Sequence, residues 1–340
     1  EQRDDSFIYD INNNIIIKLR INSHKNILYN KKKKHYSDYW NNKTVFNDYQ
    51  LTLINNRALA EISNYKPTDL ISDTLIFNSD DYKYVKDNEI VYVIGTVFKQ
   101  FYNYIINLGV KNLTLIVSAS DISFPIETGV NYESLNKEII NKIYTTNYDL
   151  PNENNFIIPI PLGIDYHTMY NTDIYWGEKM SPIDQENELF EIINNSDNFS
   201  DRLNKTYSFF HFNNNIKPNR PHTKDRTYAL NYLKDKSFNI FQKNKIDRKE
   251  IWNEMIKYKW IISPHGNSLD CHRTYEAIAL GCIPIVKTST LDLLYKDMPI
   301  IIVNKWSDIT LEYLQLKTEI ALKKSKKKIT LNYYKDLILN

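Results

Sequence analysis

Residues 262–286 read "ISPHGNSLDCHRTYEAIALGCIPIV". The apolar run "KWIIS" at 259–263 leads into this stretch and Pro264 stops it, which is the form of a short buried strand. "CHRTYEAIAL" at 271–280 then has helical spacing, with Asp270 as the expected N-cap, Gly281 at C′ and Pro284 three residues beyond. "CIPIVK" at 282–287 follows as a second strand. Strand, tight turn, helix and strand make one unit of a parallel α/β sheet. A helix that opens at the carboxyl end of a strand points its N–H groups and positive dipole end into the adjoining crevice, where an anion can bind.

The same alternation continues on both sides. "TYSFFHF" (206–212) and "SFNIF" (237–241) read as strands, and "TKDRTYALNYLK" (223–234) and "RKEIWNEMIKY" (248–258) as helices. After 287 come helix "LDLLY", strand "PIIIV" and a helix opening at "WSDIT". An earlier series holds the expected strands "DTLIF" (73–77), "EIVYVIG" (89–95), "LTLIVS" (113–118) and "NFIIPIPLG" (155–163). Helix "VFKQFYNYIINLG" (97–109) lies between two of them and ends on Gly109. Two such series in tandem predict two Rossmann-like, doubly wound α/β domains facing each other across a cleft. The expected divisions are an irregular arm over 1–48, a first domain over 49–168 and a polar linker or helical segment over 169–204. A second domain over 205–312 and a helical tail over 313–340 complete the chain.

Composition narrows the classes. The 340 residues are 42% apolar and 25% charged, as in a globular protein with room for two cores. Lys and Arg total 43 against 41 Asp and Glu, a net charge of +2, which argues against a nucleic-acid-coating protein. The lysine runs at 31–34 and 323–328 read as solvated surface. No apolar run is long enough to span a membrane, and no signal peptide is visible. Two cysteines, Cys271 and Cys282, are too few for a disulfide framework and suggest reduced thiols in a cytosol-like compartment. The chain opens on Glu1 rather than Met, as expected of a fragment of a larger, anchored or multidomain parent. Neither a Gly-x-Gly-x-x-Gly turn nor a P-loop is present, so dehydrogenase and P-loop readings have no anchor.

The chemistry concentrates in the opening stretch. Gly266 lets the backbone of the turn His265-Gly266-Asn267-Ser268 approach a ligand closely. Arg273 and Glu276 are three apart on one helix face near its N-terminus. A guanidinium forks onto phosphate oxygens, and a carboxylate accepts from two vicinal hydroxyls such as those of a ribose. An exposed i, i+3 ion pair is the plainer alternative for these two. His265 could donate to a phosphate or a sugar, and His272 could cap or pack. In the loop after "YSFFHF", Arg226 and, below it, Arg220 are further candidates for the phosphates, with surface charge as the alternative for each. Ser289, in the turn after strand 282–287, is a further candidate contact for the same ligand.

The stretch resembles the exostosin-like glycosyltransferases through Ser263, Pro264, Gly266, Arg273, Glu276, Ala277, Gly281, Ile283, Pro284 and Val286. The likeness continues through "KTSTLDLLYKDMPIIIVNKWSDIT" and reappears at "TTNYDLPNENNFIIPIPLGIDYHTMY" (145–170). It is specific over 262–310, moderate over 113–168 and absent from about the first 70 residues. The resemblance implies a GT-B fold, with a sugar nucleotide in the second domain and a glycan or glycoprotein acceptor in the first. Uridine diphosphate is the expected carrier, and no cofactor beyond that co-substrate is implied. No two aspartates stand two apart, so the Asp-x-Asp metal pair of the other main glycosyltransferase fold is missing and metal-independent transfer is expected. Basic side chains and helix dipoles would meet the leaving diphosphate instead. The catalytic base is expected from the first domain. Asp121, just past strand "LTLIVS", is the first candidate, with Asp165 and His167 of "PLGIDYH" as rivals. A turn or capping role is the commoner fate of such an aspartate. A binding or scaffold module that keeps the fold without transfer is the alternative function.

Overall fold

The computed structural model describes residues 8–11, 14–17, 51–173, 176–210 and 220–340. Within the N-terminal arm, expected to be irregular, β1 (Ile8–Ile11) and β2 (Asn14–Ile17) form an antiparallel pair. Most of that arm, including the lysine cluster at 31–34, lies outside the described residues. No helix among the described residues is long and apolar enough to cross a membrane.

Two parallel sheets follow. The first has the order β3 (Ile90–Ile94), β4 (Leu113–Ser118), β5 (Ile140–Thr145), β6 (Ile157–Pro159). β3 and β4 are apolar on both faces and buried on both, as a covered parallel sheet requires. Helix α1 (Asn56–Glu61) is capped by Asn55, whose side chain accepts from Ala58 N–H, and α2 (Phe98–Ile105) lies between β3 and β4. Gly109 adopts the left-handed conformation expected of it, φ 69°, after one 3₁₀ turn. One strand expectation fails. "DTLIF" is an irregular loop, with Leu75 78% and Ile76 81% exposed and Asp73 turned into the left-handed region at φ 57°. The sheet gains β5 instead, although "INKIYT" interrupts its buried residues with exposed Asn141 and half-exposed Lys142 and carries little strand signal.

The second sheet comprises β7 (Leu203–Ser208), β8 (Asn239–Phe241), β9 (Tyr258–Ile262), β10 (Ile283–Lys287) and β11 (Ile301–Val303). Their spatial order is β11-β10-β9-β7-β8, all parallel. The chain starts at β7, adds β8 on one side and then crosses over to build β9, β10 and β11 on the other. The strand order therefore reverses between β7 and β9, and the crevice beyond their carboxyl ends is where open α/β sheets bind ligands. Helices α5 (Asp225–Leu233), α6 (Arg248–Met255), α7 (His272–Ala279) and α8 (Asp292–Tyr295) connect the strands.

The segments outside the sheets tie the halves together. α3 (His167–Asn171) follows β6. The polar stretch 169–204 contains α4 (Pro182–Asn194), capped by Ser181 and burying Leu189 and Phe190. α9 (Leu311–Leu322) is capped by Thr310, and α10 (Leu331–Leu339) returns to the first half. Ile54 N–H donates to Ile329 O at 2.9 Å, Leu331 N–H to Thr52 O at 2.8 Å, and the Tyr144 hydroxyl to Leu337 O. One apolar cluster accordingly runs through both halves, while a second, built on Trp260, Ile262, Ile285 and Trp306, fills the outer side of the second sheet.

α4 also carries a titrating group. Thr52 N–H (2.8 Å), Leu53 N–H (3.0 Å) and the Tyr166 hydroxyl (2.9 Å) all donate to the Glu186 carboxyl. Burial outweighs these donors and pushes its pKa up, from 4.5 to about 7. The native state then holds this proton more firmly than the unfolded chain, so the group's contribution is greatest at low pH. It is lost as pH rises from the unfolded value through the folded one. Thermal melts between about pH 5 and 8 should show wild type losing stability relative to Glu186→Gln, which cannot titrate. Parallel curves for the two proteins would mean that Glu186 stays ionised when folded.

Candidate functional site

At the switch point a pocket of about 260 Å³ is lined from both halves, by Asp121, Asp165 and His167 from the first and Arg226, Arg273 and Glu276 from the second. Its floor is built from the turn after β9. His265 N–H donates to Asp225 Oδ2 at 3.0 Å, the Trp306 indole N–H donates to Asp225 Oδ1 at 2.7 Å, and the His265 ring contacts Leu269 O at 2.6 Å. Asp225 thereby fixes the start of α5, and the next residue, Arg226, lies over the turn. A Cβ on Gly266 would meet Arg226 Nη2 at 2.5 Å. The glycine is thus needed for the close approach of an arginine, where the sequence suggested the close approach of a ligand.

Arg273 is 8% exposed and stacks on Phe209 and Phe210, its Cζ 4.9 and 5.7 Å from their ring centroids. Its Nε is buried without a hydrogen-bond partner. Burial first, and the neighbouring Arg273 charge second, lower the Arg226 pKa from its ordinary value. Two guanidiniums share one half-enclosed site, and Cys271 and Asp121 offset part of the cost to Arg226. Glu276, one turn along α7, is 7% exposed and lines the pocket. Among the described residues its carboxylate has no hydrogen-bond or ion-pair partner. Arg273 and Glu276 are both buried and not paired, so an exposed ion pair does not describe them.

On the facing wall, Asp73 Oδ1 accepts from Ser120 Oγ (2.9 Å) and from Asp121 N–H (2.8 Å). The left-handed turn at Asp73 in this way sets the loop that carries Asp121 into the pocket. Asp165 is more enclosed. Its Oδ1 lies 2.9 Å from His167 Nδ1 and accepts Thr168 N–H at 3.0 Å, and its Oδ2 lies 3.4 Å from Arg248 Nη2. Burial alone would raise the Asp165 pKa, but His167, His272 and Arg248 hold it well below the usual carboxylate range. His272, the first residue of α7, contacts Gly163 O through Nδ1 at 2.6 Å and lines the same wall.

Several expected residues take other roles. Asp270 does not cap α7, because Cys271 holds the N-cap position without a side-chain bond. Its carboxylate is instead filled by Leu162 N–H, Cys271 N–H and the hydroxyls of Tyr275 and Tyr295. Arg220 lies outside the pocket lining, ion-paired with Glu127 and donating to Asn267 O at 3.3 Å. That contact holds Asn267 at the pocket edge. His265 organises the turn. Ser289 belongs to the turn before α8, where its Oγ accepts Leu291 N–H at 3.2 Å, away from the pocket. Cys271 and Cys282 are both unbonded thiols.

The sequence missed Asp73, Phe209 and Arg248. Asp73 lay hidden in a segment read as a strand, Phe209 in a strand read as core, and Arg248 at the start of an apparently ordinary amphipathic helix. It also missed Asn56, whose buried Oδ1 has no hydrogen-bond partner at the pocket wall. No protein-family model matches the chain, and no curated protein matches it by sequence.

Gly266→Ala tests the floor. The added Cβ meets the far end of a flexible side chain, so stability should stay within about 1 kcal/mol of wild type. Displacing the Arg226 guanidinium should weaken inorganic pyrophosphate binding by about tenfold in calorimetry. Equal affinity would remove Arg226 from the anion site.

Proposed function

We propose that the chain is a metabolite-using transferase of the GT-B type, an exostosin-like glycosyltransferase that moves a sugar from a nucleoside diphosphate to a hydroxyl acceptor. The observation that carries this reading is the pair Arg226 and Arg273 in a pocket at the reversal of strand order, with Arg273 Nε buried and unsatisfied. A diphosphate supplies the two adjacent anionic groups that such a pair accepts. Glu276, on the same helix, is placed for the ribose hydroxyls. Beside Arg273, a recess of about 60 Å³ lined by Phe209, Phe210, Gln242 and Ile246 suits the flat ring of a base, with uridine as the expected nucleoside. The resemblance over 262–310 supports the same assignment.

Transfer then needs a base on the facing wall. Asp121 fits that role better than Asp165, whose Oδ1 accepts Thr168 N–H, whose Oδ2 lies beside Arg248, and whose lowered pKa makes it a weak proton acceptor. The departing diphosphate is met by the two guanidiniums and by the N-terminus of α7. The acceptor enters from the first half, where a larger cavity of about 540 Å³ shares Ser72 and His167 with the pocket.

Binding and turnover separate the parts of this reading. Arg273→Ala and Glu276→Ala should each weaken uridine diphosphate binding by about 1–3 kcal/mol with the fold intact, and Arg273→Lys should not restore a forked contact. Unchanged affinity in both alanine variants would remove the nucleotide site. Asp121→Asn should lower donor turnover by ~10²–10⁴ while leaving donor affinity unchanged. Near-normal turnover would assign the base elsewhere, and tight binding without any turnover would identify a binding module.

A further inference from the structure

The geometry points to a divalent transition-metal site on the first-half wall of the pocket, formed by Asp165, His167 and His272. One donor atom from each of these residues lies within 4.8 Å of the others. Asp165 Oδ1 lies 2.9 Å from His167 Nδ1. At that distance a hydrogen bond would be expected, yet His167 Nδ1 is buried with no hydrogen-bond partner, because ring and carboxylate are not aligned for one. Two ligands that sit about 2.1 Å from one ion at a right angle are themselves about 3 Å apart. The pair therefore has the spacing of neighbouring ligands and lacks the alignment of a donor with its acceptor.

The surroundings orient all three groups. Gly163 O accepts from His272 Nδ1 at 2.6 Å, and a carbonyl can only accept, so Nδ1 carries the proton and Nε2 keeps its lone pair. Arg248 lies 3.4 Å from the second oxygen of Asp165, and Oδ1, which accepts Thr168 N–H at 3.0 Å, keeps a further lone pair for the ion. Gly163 is itself fixed, since its φ is 75° and an added Cβ would lie 2.1 Å from Ile54 O. His272 comes from α7 and the other two ligands from the segment after β6, so the ion would join the two halves. Two imidazoles and one carboxylate select zinc, iron or cobalt over magnesium or calcium, which prefer all-oxygen sets. Three ligands leave coordination positions open toward the pocket for a water or a substrate oxygen. The sequence-based expectation of a metal-free pocket came from the missing Asp-x-Asp pair, a pattern that cannot register ligands brought together from distant segments.

The site stands whether or not the neighbouring pocket takes a nucleotide, so its test uses metal alone. Protein without a histidine tag, stripped with chelator, is titrated with zinc in a calorimeter and with cobalt in a spectrophotometer. One ion per chain, a cobalt ligand-field band and no heat from magnesium are the expected results. His272→Asn keeps a donor for the Gly163 carbonyl but removes Nε2, and His167→Ala removes an atom that serves no hydrogen bond. Each should lower zinc affinity at least about tenfold. His222→Asn, which alters a histidine outside the set, should bind zinc like wild type. Absence of stoichiometric binding, or unchanged affinity in both ligand variants, overturns the site. Should His272→Asn fail to fold, His167→Ala decides. Loss of zinc binding with uridine diphosphate binding retained would leave the nucleotide reading untouched, and the reverse result would leave the metal site untouched.

Discussion

A single buried carboxylate, Asp270, sets where the two halves meet. It is 1% exposed and lies at the start of α7, yet one of its donors, Leu162 N–H at 2.9 Å, belongs to the segment after β6. Tyr275 and Tyr295 donate from α7 and α8, and Cys271 N–H from the helix start. The Asp270 backbone N–H in turn donates to the Asn147 side chain, beyond β5. Burial raises the Asp270 pKa, and these donors work against that rise. An acceptor enclosed this fully costs far more to remove than a surface ion pair, because each stranded donor carries its own desolvation penalty. With the N-terminus of α7 pinned against the segment after β6, His272 and Arg273 face the loops that carry Asp165 and Asp121. The pocket is a consequence of that clasp.

The distribution of charge in the pocket follows from its two sources. The second half supplies two desolvated guanidiniums, of which Arg273 stacks on phenylalanine rings. The first half supplies carboxylates, one presented by the Asp73 turn and one enclosed by histidines and Arg248. A molecule with an anionic end and a reactive bond, laid from the second half toward the first, would meet cations at its leaving group and carboxylates at its far side. That polarity suits group transfer away from a diphosphate. The proposed ion at Asp165 would add a Lewis acid to the same pocket, held in part by His272, the residue before Arg273.

The sequence made much of the second half legible because β9, β10 and β11 are apolar runs bounded by clear stops, whereas β7 begins with the exposed Leu203 and Asn204 and starts three residues before the expected strand. Pro264 ends β9, and Gly281 ends α7 in the left-handed region at φ 74°. The helices at 225–233 and 248–255 fall within their expected spans. The first half was harder to read. β5 mixes Asn141 and Lys142 into a buried strand, whereas the apolar "LI" of the 73–77 loop is exposed, so local hydrophobicity misled in both directions. At the site, Arg273, Glu276 and Asp121 were recognisable from their positions near strand ends. The Asp270 clasp and the Asp165–His167–His272 cluster were not, because partners such as Leu162 and Asp270 are 108 positions apart. Only packing of the two halves makes them neighbours.

The most direct measurement is a crystal structure of the protein soaked with uridine diphosphate. The diphosphate should lie between Arg226 and Arg273, with an oxygen in reach of Arg273 Nε and the ribose hydroxyls against Glu276. The base should occupy the recess beside Phe209 and Phe210. Nucleotide bound elsewhere on the molecule, or an empty pocket at saturating nucleotide, would contradict the assignment of this crevice as a donor site.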